Sequence, residues 1–322
     1  MGIKHQVVKK HCALYNADCC EVMPSLPDES VDFVIFSPPF GDLYSYSDDL
    51  EDMSNAESYD QFFDHFSFLI GELYRVLTPG RIVAVHCMDL PIFKRDGGMI
   101  GLREFPDDIV KAFKNVGFAY HSHHVIWKDP LIAATRTKAI GLAHKQLVKD
   151  SSVVRAGIPD EIVAFRKPGE NPKPIQHPNS LTIYHGSRSI PKNLDRFITE
   201  ENPKLNKRSH WIWQQYASPV WFDINQTEVL PYRKGRDKDD TKHICPLQLQ
   251  VIERCMLLWS REGDTVLTPF MGVGSEVFVA VQRRRKAIGI ELKTSYYRQA
   301  VRNVKQARKL SKNGEGAGLL GD

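Results

Sequence analysis

The segment Val31-Asp32-Phe33-Val34-Ile35-Phe36 is almost continuously apolar and runs directly into Ser37-Pro38-Pro39. A strand with apolar side chains on both faces has to be covered on both faces, which is the environment of a strand inside a parallel sheet. Helices must supply that cover. One is predicted from about Tyr59 to Leu77, where Phe62, Phe66, Leu69, Leu73 and Val76 recur at helical spacing before Thr78-Pro79-Gly80 breaks the pattern. Arg81 to Cys87 reads as the next strand and Phe105 to Asn115 as a helix. Gly117 introduces Phe118 to Trp127, which is expected to neighbour a strand over Glu161 to Arg166. This alternation predicts an α/β fold built on a doubly wound sheet.

Periodicity weakens from about Asp129 to Thr227, where polar residues, prolines and basic side chains are interrupted only by Glu161 to Arg166. It returns at Pro246 to Ser260, with Gln248, Val251, Ile252, Cys255 and Trp259 on one helical face. A second β, α, β unit follows: a strand at Thr265 to Thr268, a Gly272/Gly274 loop opening a helix to about Arg284, and a strand at Ala287 to Glu291. Ser295 to Leu310 reads as the last helix. These shifts divide the chain into 1–128, an insert at 129–230 that contains the core-like strand 161–166, a second core half at 231–310, and a tail, 311–322, expected to be mobile.

Composition removes several classes. No apolar run approaches the roughly 20 residues that span a bilayer, and the first residues hold no apolar stretch before a small-residue cleavage site, so a cytoplasmic protein is expected. The six cysteines, including adjacent Cys19 and Cys20, show no repeated ligand spacing, so neither a metal nor a disulfide is called for. A net charge of +4 is too small to identify a polyanionic partner, which leaves the distribution of basic residues to speak.

Two loops carry chemistry, and both follow predicted strands at the carboxyl edge where open α/β sheets place ligands. In the second, glycines allow close backbone approach and Glu291 ends the next strand, where it can accept from two ribose hydroxyls. A tight strand-to-helix turn would use the same glycines. In the first, the prolines of Ser37-Pro38-Pro39-Phe40 fix the backbone and remove two donors, leaving oxygens to accept from an amine and Phe40 to stack on a base. A strand stopped by a Pro-Pro turn with an aromatic lid accounts for the tetrapeptide equally well when it is taken alone.

Taken in order, the segments resemble the beta-group S-adenosylmethionine-dependent DNA amino-methyltransferases, the N4-cytosine/N6-adenine family. The matching stretches are Leu14 to Cys19, Leu26 to Asp32, Ser37 to Phe40, Arg75 to Gly80, His243-Ile244-Cys245-Pro246, Gly263-Asp264, Pro269-Phe270, Gly272, Gly274 and Ile290-Glu291. The resemblance implies a Rossmann-like sheet, mostly parallel with an antiparallel hairpin, a circularly permuted motif order and a target-recognition insert between the catalytic half (1–128) and the cofactor half (231–310). It implies that Ser37, Pro38, Pro39 and Phe40 are catalytic. S-adenosylmethionine would be held by Asp18 at its adenine end, by Glu291 at its ribose, and at its methionine end by Phe270, Gly272, Gly274 and Ser275 with Cys245 and Pro246; Cys19, His243, Thr268 and Pro269 belong to the same cofactor site. One departure stands out: the family usually has an acid where this chain has Thr268. Glu276 is placed to compensate from the helix amino terminus, or else to face solvent as a first-turn acid.

Serine at the head of the catalytic motif is similar to the N4-cytosine branch, with N6-adenine as the alternative. Either base must leave the duplex to be reached, so a flipped nucleotide stacking on Phe40 is expected. Double-stranded DNA is the expected partner, in a prokaryote or a virus of one, and the setting the family implies is restriction-modification. Arg136, Lys138, Lys145, Arg155, Lys167, Arg188, Lys207 and Arg208, interleaved with Tyr184, Trp211, Trp213 and Tyr216, form the candidate DNA face, against the plainer reading of a solvated basic surface. His121, His123 and His124 lack an evident acidic partner and read as structural or phosphate-facing. A nucleotide-dependent oxidoreductase would explain the glycine loop but not Ser-Pro-Pro-Phe, and Thr268 leaves room for a catalytically silent DNA-binding module.

Overall fold

The computed structural model describes residues 2–39, 59–92, 101–132, 147–153, 156–178, 180–197, 206–232 and 246–312. Strands β1 (His5–Lys9) and β2 (Cys12–Asn16) form an antiparallel pair that the sequence patterns above do not predict. A short α1 (Cys19–Val22) leads to β3 (Val31–Phe36), every residue of which is buried. Helix α2 (Tyr59–Val76) passes without a loop into β4 (Leu77–Cys87), so this strand begins earlier than the expected Arg81. A small hairpin, β5 (Leu90–Ile92) with β6 (Gly101–Arg103), precedes α3 (Phe105–Val116). Gly117, with φ 113°, takes the left-handed cap that turns α3 into β7 (Ala119–Ile126).

The chain returns as β8 (Asp160–Arg166), then α4 (Lys207–Tyr216) and β9 (Val220–Trp221), before α5 (Leu249–Trp259), β10 (Thr265–Thr268), α6 (Ser275–Gln282), β11 (Lys286–Ile290) and α7 (Thr294–Lys312). The described strands form one sheet in the order β1-β2-β11-β10-β3-β4-β8-β7-β9. Every pairing from β2 through β4 is parallel, whereas β8 runs antiparallel to both β4 and β7, giving the expected hairpin. This is the Rossmann-like α/β fold, with a central pair, β10 and β3, whose carboxyl ends lie side by side.

Alternation along β3 explains its composition. Phe33 and Ile35 enter the core beneath α5, α6 and α7, while Val34 and Phe36 enter the core beneath α2 and α3. The insert is more regular than its sequence suggests. Ile212 and Tyr216 on α4 pack with Leu181 and Leu257, and Trp221 of β9 is fully buried in the core. Aromatic residues interleaved with polar ones blur the helical period there, and a two-residue strand leaves no alternation to read.

A buried charge network fixes the amino ends of the central strands. Arg81 donates to the Asp32 carbonyl at 2.6 Å, to the Lys173 carbonyl at 3.0 Å, and pairs with Asp264. The Asp32 carboxylate accepts from the Thr265 amide at 2.9 Å and from Lys173 at 3.1 Å. Breaking one partner of such a pair leaves an uncompensated buried charge, so β3, β4 and β10 are locked in relative position at the end opposite the loops.

Candidate active site

Four loops converge at the carboxyl ends of β2, β11, β10 and β3, because those strands are parallel neighbours in that order. The Ala17 amide donates to the Glu291 carbonyl at 3.2 Å, and Asn16 donates to the Glu291 and Leu292 carbonyls at 2.8 and 2.9 Å, joining the Asp18 turn to the end of β11. Asp18 caps α1 by accepting from the Cys20 amide at 2.9 Å. The Met271 amide donates to the Ile290 carbonyl at 2.8 Å, joining the end of β11 to the glycine loop. The rings of Phe36 and Phe270 lie 5.7 Å apart, so the Ser-Pro-Pro turn and the glycine loop share a wall.

The glycine loop is built for close approach. Gly272 and Gly274 hold φ of 53° and 87°. A Cβ on Gly274 would lie 3.0 Å from the Ala300 Cβ, so helix α7 presses directly against the loop. The Gly272 amide and the Lys293 amide donate to the two carboxylate oxygens of Glu291, at 2.7 and 2.8 Å. An ionised carboxylate has about four lone-pair sites, enough to hold this loop and a ribose together.

Thr268, Pro269 and Ser275 are buried, and the hydroxyls of Thr268 and Ser275 find no hydrogen bond among the described residues. Glu276 is buried at 5% exposure, so the first-turn acid facing solvent is not what forms; burial, with a smaller push from Glu291, raises its carboxyl pKa to about 8. Orphaned hydroxyls and a buried acid around a glycine turn are the donor and acceptor set that a zwitterionic methionine end requires. Cys19 is buried; its hydrogen bond with Cys20, reinforced by burial, pushes its thiol well up. Pro246 precedes α5, whereas His243 and Cys245 lie outside the described residues, as does Phe40.

Ser37 is half-buried, with Pro38 and Pro39 buried behind it. Its Oγ lies 2.9 Å from Nδ1 of His86, which is next to last in β4. Nε2 of His86 faces Oδ2 of Asp160 at 3.2 Å, and Asp160 is in turn paired with Lys128. Sequence reasoning missed His86, Asp160 and Lys128. The only available signal was a histidine near the end of an otherwise apolar strand, and its partners lie far along the chain.

The candidate DNA residues are brought together only in part. Arg188 lies over the Phe222 ring at 4.5 Å and donates to Gln215 on α4 at 2.8 Å, on the helix that also carries Lys207 and Arg208. Arg136, Lys138, Lys145 and Arg155 lie outside the described residues. Lys167 does not belong to a DNA face: it is buried, donates to the Leu77 carbonyl at 2.8 Å and lies 5.1 Å from the Tyr74 ring. His123 has an acidic partner after all, Glu161 at 2.8 Å, because β7 and β8 pair antiparallel. His124 stacks on Trp221 at 4.6 Å and is structural. Among the described residues no helix is long and apolar enough to cross a membrane.

The chain is similar to known proteins along most of its length. A family profile for N6- and N4-specific enzymes, described as DNA methylase, matches residues 31–302. The chain is 26% identical over 296 residues to the orphan methyltransferase M.BamHII of Bacillus amyloliquefaciens, covering 91% of this chain and 96% of that one. It is 25% identical over 281 residues to the type II methyltransferase M.BamHI of the same species, covering 87% of this chain but about half, 54%, of that longer relative. PvuII DNA methyltransferase, a solved structure described as cytosine-N4-specific, shares the fold with a TM-score of 0.61 at 15% identity over 97% of each chain. With the strand-end loops in place and most of its length matched, the chain belongs to the N4-cytosine/N6-adenine family of S-adenosylmethionine-dependent DNA methyltransferases.

Proposed function

We propose that the protein methylates the N4 amine of cytosine in duplex DNA, receiving the flipped nucleotide beside the Ser37-Pro38-Pro39 turn. The observation that supports this reading is the wall shared by Phe36 and Phe270, which brings the Ser37-Pro38-Pro39 segment next to the glycine loop. S-adenosylmethionine, when bound, supplies a methyl group activated by an adjacent sulfonium. On this reading Asp18 and Cys19 serve its adenine end, Glu291 its ribose, and Pro246, Thr268 to Phe270 and Gly272 to Ser275 its methionine end. Ser37 and the Pro38 carbonyl accept from the base amine and aim its lone pair at the incoming methyl carbon.

Cytosine is preferred because serine heads the motif, as in the N4 branch, and because a structural relative is named as cytosine-N4-specific. Arg188, Lys207 and Arg208 would contact phosphates, and the bacterial relatives suit a prokaryotic cytoplasm. The test incubates the protein with methyl-labelled S-adenosylmethionine and mixed-sequence duplex DNA, then digests the product to nucleosides. Labelled N4-methylcytosine is expected. N6-methyladenine would move the enzyme to the other branch, and an unlabelled product would refute the activity.

A further inference from the structure

We propose that His86, held by Asp160 and Lys128, is the positioning residue for Ser37: it makes the Ser37 hydroxyl a donor toward the imidazole, so that Oγ turns lone pairs alone toward the base amine. The inference rests on the reading that Ser37 receives that amine. Three elements build the relay, with His86 near the end of β4, Asp160 opening β8 and Lys128 just beyond β7. Its side chains are shielded, at 9% exposure for His86, 4% for Asp160 and 17% for Lys128.

Burial opposes ionisation of Asp160, but Lys128 outweighs it and holds the carboxyl well below its usual range. A carboxylate facing Nε2 favours the tautomer protonated there, which leaves Nδ1 as a bare acceptor. Ser37, 2.9 Å from Nδ1, must then donate. Without His86 the hydroxyl rotates freely and can point its proton at the amine nitrogen, occupying the lone pair that has to attack.

The same chain disposes of a proton. As the amine nitrogen bonds to the methyl carbon, the sulfonium sulfur keeps the electron pair of the bond that breaks, and the nitrogen carries one hydrogen too many. That proton passes to Ser37 Oγ while the hydroxyl's own proton passes to Nδ1. The resulting imidazolium faces Asp160 and loses its proton to solvent between turnovers. Among the described residues Asp160 faces His86 and Lys128 pairs with Asp160, while Glu161, Asp89 and Asp107 act on its chain neighbour Cys87.

The experiment uses the full chain, methyl-labelled S-adenosylmethionine and mixed-sequence duplex DNA, with cofactor affinity measured separately by calorimetry. His86→Ala should lower kcat about 100-fold or more, the scale of general acid-base catalysis, with KM for DNA and cofactor affinity unchanged. His86→Asn restores an acceptor near the Nδ1 position but cannot take up the proton, so it should recover only part of kcat. Histidine 15N spectra of the wild type should show the His86 proton on Nε2, and Asp160→Asn should redistribute it. Wild-type kcat and pH profile in His86→Ala, alongside an inactive Ser37→Ala, would overturn the proposal alone. Full kcat in Ser37→Ala would sink the reading beneath it as well. Should His86→Ala fail to fold, a wild-type spectrum with the proton on Nδ1 is sufficient to overturn it.

Discussion

Glu276 offers a test of the site that needs neither DNA nor cofactor. It is buried in the first turn of α6, and its carboxyl is raised from 4.5 to about 8, by burial first and then by Glu291. In that window the folded chain keeps the proton and the unfolded chain has lost it. Stability therefore falls as pH climbs from 4.5 to 8, is level above 8, and is unaffected by this group below 4.5. At about 1.4 kcal/mol per pH unit the full swing is about 5 kcal/mol. Glu276→Gln keeps the shape and removes the titration. Thermal melting of both proteins without cofactor, from acid to mildly alkaline pH, should show the variant gaining on the wild type as pH rises. The relative gain should be on the order of 10 °C, at about 2 °C per kcal/mol for a chain of this size. A difference in melting temperature that stays constant across the range refutes the reasoning, because it would mean that the ionised carboxylate is already solvated or paired in the fold.

Three further outcomes follow from the geometry. Arg81→Ala should cost about 3–5 kcal/mol of stability, measured by thermal melting, because Asp264 is left buried and Asp32 loses its brace. Gly274→Ala forces a side chain onto a φ of 87° with its Cβ 3.0 Å from Ala300, so calorimetry should record a loss of S-adenosylmethionine affinity and melting a destabilisation of about 1–3 kcal/mol. Arg188→Ala should raise KM for DNA, leave cofactor affinity unchanged and reduce the salt dependence of DNA binding by about one counterion, measured by titration at several salt concentrations.

The parts of this fold that could be read from the sequence are those whose burial writes a period into it. Val31 to Phe36, Phe62 to Val76 and Thr265 to Thr268 are packed on defined faces, and their expected boundaries stand within a few residues of those observed. Strand β1 escaped because it is an edge strand with mostly exposed residues, so its composition reports solvent and not the sheet; β2 does bury alternate residues, but its five residues end on a buried Asn16 and leave too short a period to read. Tyr216 and Trp221 show the opposite failure: both are fully buried, yet they stand among polar neighbours in a stretch whose core contacts come from distant α5. For the site, Ser37 and the glycine loop were legible because prolines and glycines dictate backbone. His86 was not, since its meaning depends on Asp160, and that pairing exists only after β8 has been laid antiparallel against β4.

That antiparallel placement also joins residues that the chain keeps apart in sequence. Lys128 is where the chain leaves β7 and Asp160 is where it enters β8, so the excursion of 129–159 begins and ends on the two partners of one ion pair. A parallel β8 would have opened at the other end of β4, beyond reach of His86. The register actually formed sets Ile162 against His86 and places Asp160 just past the end of that pairing, where the loops gather. The β7–β8 hairpin thus delivers a carboxylate to the edge of the sheet that carries Ser37 and His86, and the lysine that holds it ionised comes from the opposite side of the same excursion. A substitution at either end, Lys128 or Asp160, would therefore leave the other partner of that pair as a shielded, uncompensated charge.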